Sequence, residues 1–250
     1  TRVHPASYIE TIKQSEPTNS TARLDPDTYM SPGSLRAAKL AAGACVAAIS
    51  DILEGKTDHA FCAIRPPGHH AEVAAAMGFC IFNNVALAAE TALAHPDINR
   101  VAIVDFDVHH CNGTVDIFKD RPEVLVCSSF QENYYPYRYL DFVNDHIVNS
   151  PLPSGSDGNS FRVAVERDWL PVLDSHQPDF LLISAGFDAH EQDPLAQLCL
   201  QETDYAWVTA QLLSIATDHS QGRVMSTLEG GYDLSALASS VEAHVSALMQ

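Results

Sequence analysis

The sequence predicts an α/β domain: a mainly parallel β-sheet with helices on both faces. Three observations carry that expectation. Five short runs are almost continuously apolar, as strands buried on both sides are. Segments with an apolar residue every three or four positions lie between them, which suits helices that bury one face. The two kinds alternate along the chain, the order expected of parallel strands joined by crossover helices.

Taken in order, the first helical pattern runs through Leu35, Ala38, Ala42, Val46, Ile49 and Leu53. Strand runs follow at residues 60–64, 101–106, 124–128 and 180–184. A second helix reads through Tyr205, Val208, Leu212 and Ile215, a fifth strand covers 224–228, and a last helix runs through Leu234, Leu237, Val241, Val245 and Leu248. The stretch 134–158, rich in Tyr, Pro, Asn and Asp, is too long for an ordinary connection and is expected to form a rim loop. There is no internal repeat and no low-complexity tract. With 250 residues and 46% hydrophobic content, one domain over 1–250 is expected.

Charge and cysteine usage narrow the function. Fourteen Lys and Arg face 32 Asp and Glu, a net charge of −18 that repels phosphate backbones, speaks against nucleic acid and favours cationic ligands. The six cysteines show no CxxC spacing and several, such as Cys62 and Cys127, sit in apolar surroundings, as reduced buried thiols of a cytoplasmic protein do. No apolar run approaches the roughly 18 residues of a membrane span, and residues 1–10 have no secretory-signal pattern. A soluble, unexported chain with no membrane partner is expected. Because the chain opens on Thr1 rather than Met, directly with a segment that reads as ordered, part of its N-terminus is expected to be missing or processed.

Four of the five strand runs end directly in chemically loaded residues. Arg65-Pro66-Pro67-Gly68-His69-His70 follows the first, and Asp107-Val108-His109-His110-Cys111-Asn112-Gly113 follows the second. Ala185-Gly186-Phe187-Asp188-Ala189-His190 follows the fourth and Glu229-Gly230-Gly231-Tyr232 the fifth. In a parallel sheet those clusters meet at one edge, where such sheets bind ligands. On an extended chain Asp105, Asp107 and His109 share a face while Val104, Phe106 and Val108 pack the other way. Grouped carboxylates beside apolar flanks need a partner, and a metal is the simplest one.

A catalytic zinc uses three protein ligands and keeps a position open. Asp107 and His109 supply two, and Asp188 is the natural third, with His190 the competing choice. Asp105 and Asn112 are then available to orient the doublet His69-His70. Such a partner sets a histidine's tautomer and basicity, as general acid-base work requires.

The strings Arg65-Pro66-Pro67-Gly68-His69-His70, Gly78-Phe79-Cys80-Ile81-Phe82-Asn83-Asn84 and Asp105-Phe106-Asp107-Val108-His109-His110 resemble successive signatures of the histone deacetylase and acetylpolyamine amidohydrolase family. Ala185-Gly186-Phe187-Asp188-Ala189-His190 and Glu229-Gly230-Gly231-Tyr232-Asp233 continue them in family order, closest to class II and bacterial members. The resemblance implies an arginase-like fold, one Zn²⁺ on Asp107, His109 and Asp188, and removal of acetyl groups from amines such as acetyl-lysine, acetylpolyamines or a small metabolite. It makes His69 and His70 a tandem pair backed by Asp105 and Asn112, with His70 the general base and acid and Tyr232 the donor to the oxyanion. Gly78, Phe79 and Tyr135 would wall the substrate channel and Leu195 would lie near its mouth. A structural K⁺ near Asp105, Asp107, His109 and Ser128 is implied by the resemblance alone.

Two departures from the family pattern bear on the rim. Phe130 stands where a His is common, and Tyr134-Tyr135-Pro136 continues into Tyr137-Arg138-Tyr139-Leu140 in place of Gly-Thr-Gly. The N-terminal portion is also short. Two other readings compete with the deacetylase: a two-metal arginase-type ureohydrolase, which needs more bridging carboxylates, and an inactive binding module on the same fold.

Overall fold

The computed structural model describes residues 2–250. Its elements begin with α1 (Ala6–Ser15), β1 (Ala22–Arg23), β2 (Tyr29–Met30), α2 (Ser34–Leu53), β3 (His59–Cys62), α3 (Asn84–Leu93), β4 (Val101–Asp105) and α4 (Asn112–Phe118). There follow β5 (Val124–Gln131), β6 (Ile147–Leu152), α5 (Gly158–Ala164), a π-helical segment Val165–Trp169, and α6 (Leu170–His176). The chain closes with β7 (Phe180–Ala185), α7 (Glu202–His219), β8 (Val224–Leu228) and α8 (Leu234–Leu248). β1 and β2 form a small antiparallel ribbon. The other six strands make one sheet in the order β3-β8-β7-β4-β5-β6, every neighbouring pair parallel.

Burial on both faces explains the apolar strands. In β4, Ala102 and Val104 join a core that includes Trp169, Tyr205, Val208 and Leu212. Val101 and Ile103 face the opposite core, with Ile49, Val85, Ala89 and Phe118. The two-residue period of a strand thus divides one hydrophobic run between two helical layers. Several helices start on local signals: Asn83 accepts from Ala86 N at 3.0 Å to open α3, Asp233 opens α8, and Gln201 with Asp204 forms a reciprocal cap on α7.

Topology decides where a site can form. From β4 the chain steps to β5 and β6 in one direction, then returns to lay β7 against the other edge of β4 and β8 beyond it. Strand order therefore reverses between β4 and β7, and the crevice beyond their carboxyl ends is the ligand position of such sheets.

Two expectations need correction. The stretch 134–158 is not all rim loop, because β6 completes the sheet as an edge strand paired to β5. Its Asn149, Ser150 and Pro151 hide it from a search for apolar runs, and an edge tolerates proline since one side of its backbone has no ladder to complete. The second strand stops at Asp105, so the extended geometry expected to carry Asp107 and His109 ends before them. Helix α3 lacks a periodic stripe for a different reason: Val85, Ala86, Ala88, Ala89 and Ala92 are all buried, leaving little polar face to mark the period.

Candidate functional site

The ends of β3, β4, β7 and β8 bring their polar clusters together at the reversal of strand order. After β4 the backbone turns, yet alternate side chains still converge. Asp105 Oδ1 accepts from Asp107 N at 3.0 Å, and Asp107 Oδ1 accepts from His109 N at 2.9 Å. Each carboxylate thus closes an Asx-type turn two residues on, while Phe106 and Val108 remain in the core.

Asp107, His109 and Asp188 each offer one ligand atom, all within 4.8 Å of one another, and they are the one such group among the described residues. His109 Nδ1 lies 3.0 Å from Asp107 Oδ1 and 3.1 Å from Asp188 Oδ2. The remaining carboxylate oxygens are taken by backbone: Asp188 Oδ1 accepts from Val108 N at 2.9 Å and Asp107 Oδ2 from Gly230 N at 2.8 Å. Asp188 Oδ2 is buried without a hydrogen bond. A buried anionic oxygen with no donor is costly, and a divalent cation satisfies it; two carboxylates and an imidazole are the hard and borderline donors that suit zinc. The close fit needs glycine, since a Cβ on Gly230 would meet Asp188 Oδ2 at 2.1 Å and one on Gly186 would meet Asp107 Oδ2 at 2.2 Å.

Charge is distributed unevenly across these three groups. Burial alone would lower His109, but the bond to Asp107 and the neighbouring Asp188 carboxylate push it up to about 10. Burial and then the Asp107 charge raise Asp188 to about 6. Asp107 stays well below the carboxylate range, because His69 and His109 outweigh its burial. His190 is not in this group: its Nδ1 accepts from Gln192 N at 3.1 Å, within its own turn.

The histidine pair lies with ring centroids 4.0 Å apart. His69 Nδ1 contacts Asp105 Oδ2 at 2.9 Å, and His70 Nδ1 contacts Asn112 Oδ1 at 2.7 Å. The different partners separate the two rings in charge. Burial would keep His69 neutral, yet the charges of Asp105, Asp107 and Glu229 raise it well above the ordinary histidine value. Burial, then the neighbouring His69 and His109, hold His70 well below it. The two rings are thus pushed in opposite directions, His69 toward the cation and His70 toward the neutral form.

A cavity of about 200 Å³ opens above the group, lined by Asp27, His70, Gly78, Phe79, His109, Tyr134, Tyr135, Leu195 and Tyr232. Tyr134 stacks on His109 with centroids 5.6 Å apart, and Tyr135 meets His70 edge-on at 5.2 Å. Phe79 and Tyr232 face each other at 6.1 Å, and Phe79 and Leu195 keep 41% exposure at the mouth. Burial, followed by the charges of Asp188 and Asp107, pushes the Tyr232 hydroxyl well above its usual range, so it stays protonated and able to donate.

Three supporting residues were not singled out by the sequence patterns. Glu229, fully buried, accepts from Gly68 N (2.7 Å) and His69 N (3.1 Å) through Oε2 and from Ser184 Oγ (3.0 Å) through Oε1. It ties the Pro-Pro-Gly-His-His turn to β7 and β8, and its place at the head of Glu-Gly-Gly-Tyr was the available signal. Asp193 Oδ2 accepts from Tyr232 N at 2.7 Å, and Asp27 Oδ1 accepts from Gly78 N at 3.0 Å. Both are lone carboxylates in loops, with no local pattern to reveal them.

The histone deacetylase domain model matches residues 1–248. The chain belongs to the histone deacetylase family. Its resemblance to solved family members is close: the crystal structure of the HDA15 HD domain superposes with a TM-score of 0.93 at 36% identity, covering 99% of this chain and 72% of that one. A histone deacetylase-like amidohydrolase of Pseudomonas aeruginosa is 38% identical over 92% of this chain and 62% of its own length. Histone deacetylase 14, chloroplastic, of Arabidopsis thaliana is 34% identical over 99% of this chain and 62% of its own. The chain thus spans just under two thirds of those two relatives. Among the described residues, no helix is long and apolar enough to cross a membrane.

Proposed function

We propose that this histone deacetylase family member is a zinc-dependent hydrolase that removes acetyl groups from amines. The observation that carries the reading is the buried Asp188 oxygen without a hydrogen bond, set beside Asp107 and His109 at the floor of an aromatic cavity. A Zn²⁺ held by Asp107, His109 and Asp188 would polarise the acetyl carbonyl and acidify a water. Neutral His70 has its Nδ1 hydrogen on Asn112, which leaves Nε2 to take a proton from the attacking water and pass it to the departing amine. Tyr232 donates to the carbonyl oxygen as it gains charge, and His69, pushed toward its cationic form by Asp105 and Asp107, steadies the negative charge that develops beside it. Phe79, Tyr134 and Tyr135 give a narrow aromatic passage suited to an aliphatic chain ending in the amide.

The two-metal reading is disfavoured by orientation. Asn112 faces His70, and His110 Nε2 contacts Asn149 Oδ1 at 3.0 Å with its ring against Phe130, so neither residue is turned toward the Asp107 group. Five of the six free cysteines are buried, which suits the reducing cytoplasm we assign as the compartment. A K⁺ near Asp105, Asp107, His109 and Ser128 is supported by the Ser128 hydroxyl, buried without a hydrogen bond.

The decisive experiment is acetate release by zinc-loaded protein from acetyl-lysine peptide, free acetyl-lysine and acetylpolyamine, assayed side by side. Turnover on at least one is expected and should stop on chelation. Bound zinc with no acetate from any of the three would favour the binding module.

A further inference from the structure

We infer that Arg138 is a positioning residue for His70, acting through Glu72 and Asn112 to fix which imidazole nitrogen carries the proton. The role of His70 rests on the deacetylase reading; the wiring that orients it does not. Arg138 Nη1 donates to Glu72 Oε2 at 2.6 Å, Asn112 Nδ2 donates to Glu72 Oε1 at 2.8 Å, and His70 Nδ1 lies 2.7 Å from Asn112 Oδ1.

Each link dictates the next. A guanidinium only donates, and a carboxylate only accepts. The Asn112 amide must therefore turn its NH₂ to Glu72, where its other neighbours, the His70 carbonyl at 3.4 Å and Met77 Sδ at 3.3 Å, also accept. That leaves Oδ1 for His70, and only an Nδ1–H can meet it. A neutral imidazole has one N–H, so the lone pair falls on Nε2.

Arg138 supplies what keeps Glu72 an acceptor. The Glu72 side chain is 11% exposed, and the Arg138 guanidinium on Oε2 offsets the cost of burying its charge and fixes Oε1 on Asn112. Without that anchor the carboxylate can swing off Asn112, the amide can then turn over, and its NH₂ would face Nδ1 and drive the hydrogen to Nε2. The backbone holds Arg138 in place at some cost: Tyr137 and Tyr139 on either side have φ of +59° and +57°, a region that disfavours tyrosine. The Tyr139 hydroxyl is tied to Asp116 Oδ1 at 2.8 Å, and Lys119 Nζ sits 5.7 Å over its ring.

The test is the ring-nitrogen spectrum of His70 in ¹⁵N-histidine-labelled, zinc-loaded protein, assigned by its loss in His70→Gln, alongside kcat, KM, zinc content and melting temperature. Wild type should show a protonated Nδ1 and a bare Nε2. Arg138→Met should mix the tautomers and lower kcat about 10-fold, and Glu72→Gln should lower it by up to about 100-fold, with KM within about twofold in both. Arg138→Lys, which keeps the charge, should retain the wild-type spectrum and most of kcat. Unchanged ring shifts in Arg138→Met, or a wild-type ring protonated at Nε2, would overturn the inference. So would a change in KM alone, which would make Arg138 a substrate contact. If Arg138→Met fails to fold, Glu72→Gln decides by the same spectrum. A wild-type protein that releases no acetate would sink the deacetylase reading, while the spectrum still decides the wiring.

Discussion

The floor and the rim of the cavity are built in opposite ways. On the floor, Asp105, Asp107, Asp188 and Glu229 are fully buried, and each spends carboxylate oxygens on backbone N–H groups. Both carboxylate ligands are fixed by at least one bond besides the one each would make to an ion. At the rim, Tyr137 is 69% exposed, and two tyrosines hold left-handed backbone secured by a few side-chain contacts. The difference teaches that the buried polar groups sit where many constraints agree, whereas the exposed rim is held by few.

The hardest blow to the floor is Asp188→Ala. It should lose zinc on dialysis and fall below about 1% of wild-type turnover, a larger loss than the 10–100-fold typical of an outer partner. Full metal occupancy measured in that variant would point to another third ligand. His70→Ala should keep its zinc and lose roughly 10²–10⁴-fold in turnover, the span of a positioned general base. An equal loss from His69→Ala would show that the separation in charge between the rings has no part in their roles. Tyr232→Phe should lower kcat by about 10²–10³-fold with little change in KM, as one lost oxyanion donor does. Near-normal turnover with a lower melting temperature would instead make Tyr232 a packing residue.

His244 tests whether deep burial alone makes a histidine functional. It sits beneath the floor among Phe61, Phe106 and Phe187, bonded to Thr209 Oγ1 and Ser226 Oγ, and burial lowers it from 6.5 to about 3. The unfolded chain binds the extra proton below pH 6.5, so this contribution to stability is complete above 6.5. It is lost as pH falls toward 3, at up to about 1.4 kcal/mol per pH unit. Urea melts at several pH values should show a shallower slope in His244→Gln; identical slopes would mean that the group does not titrate in this way. The smallest effect belongs to the rim. Tyr137→Gly should relieve left-handed strain worth about 1 kcal/mol and raise the melting temperature by about 2–4 °C at most. A fall would show that the exposed ring contributes more than its backbone costs.

The sequence by itself determined the layering of the fold and the chemical content of the floor. Apolar strand runs and the polar clusters after them are local patterns, and the parallel sheet brings those clusters to one edge. Local pattern could not reveal β6, whose Pro151 and Asn149 make sense only at a sheet edge. Nor could it show that the chain leaves the strand at Asp105, because the bonds from the Asp105 and Asp107 carboxylates to later N–H groups compete with extended geometry residue by residue. Glu229, Asp193, Glu72 and Arg138 stand far in sequence from the groups they hold: Arg138 reaches Glu72 across 66 positions and Glu229 reaches Gly68 across 161. A single carboxylate or guanidinium carries no periodicity, and its partner is chosen by which turns the packed sheet sets side by side. Tertiary structure alone decided those pairings, and with them the opposite directions in which two adjacent histidines are pushed.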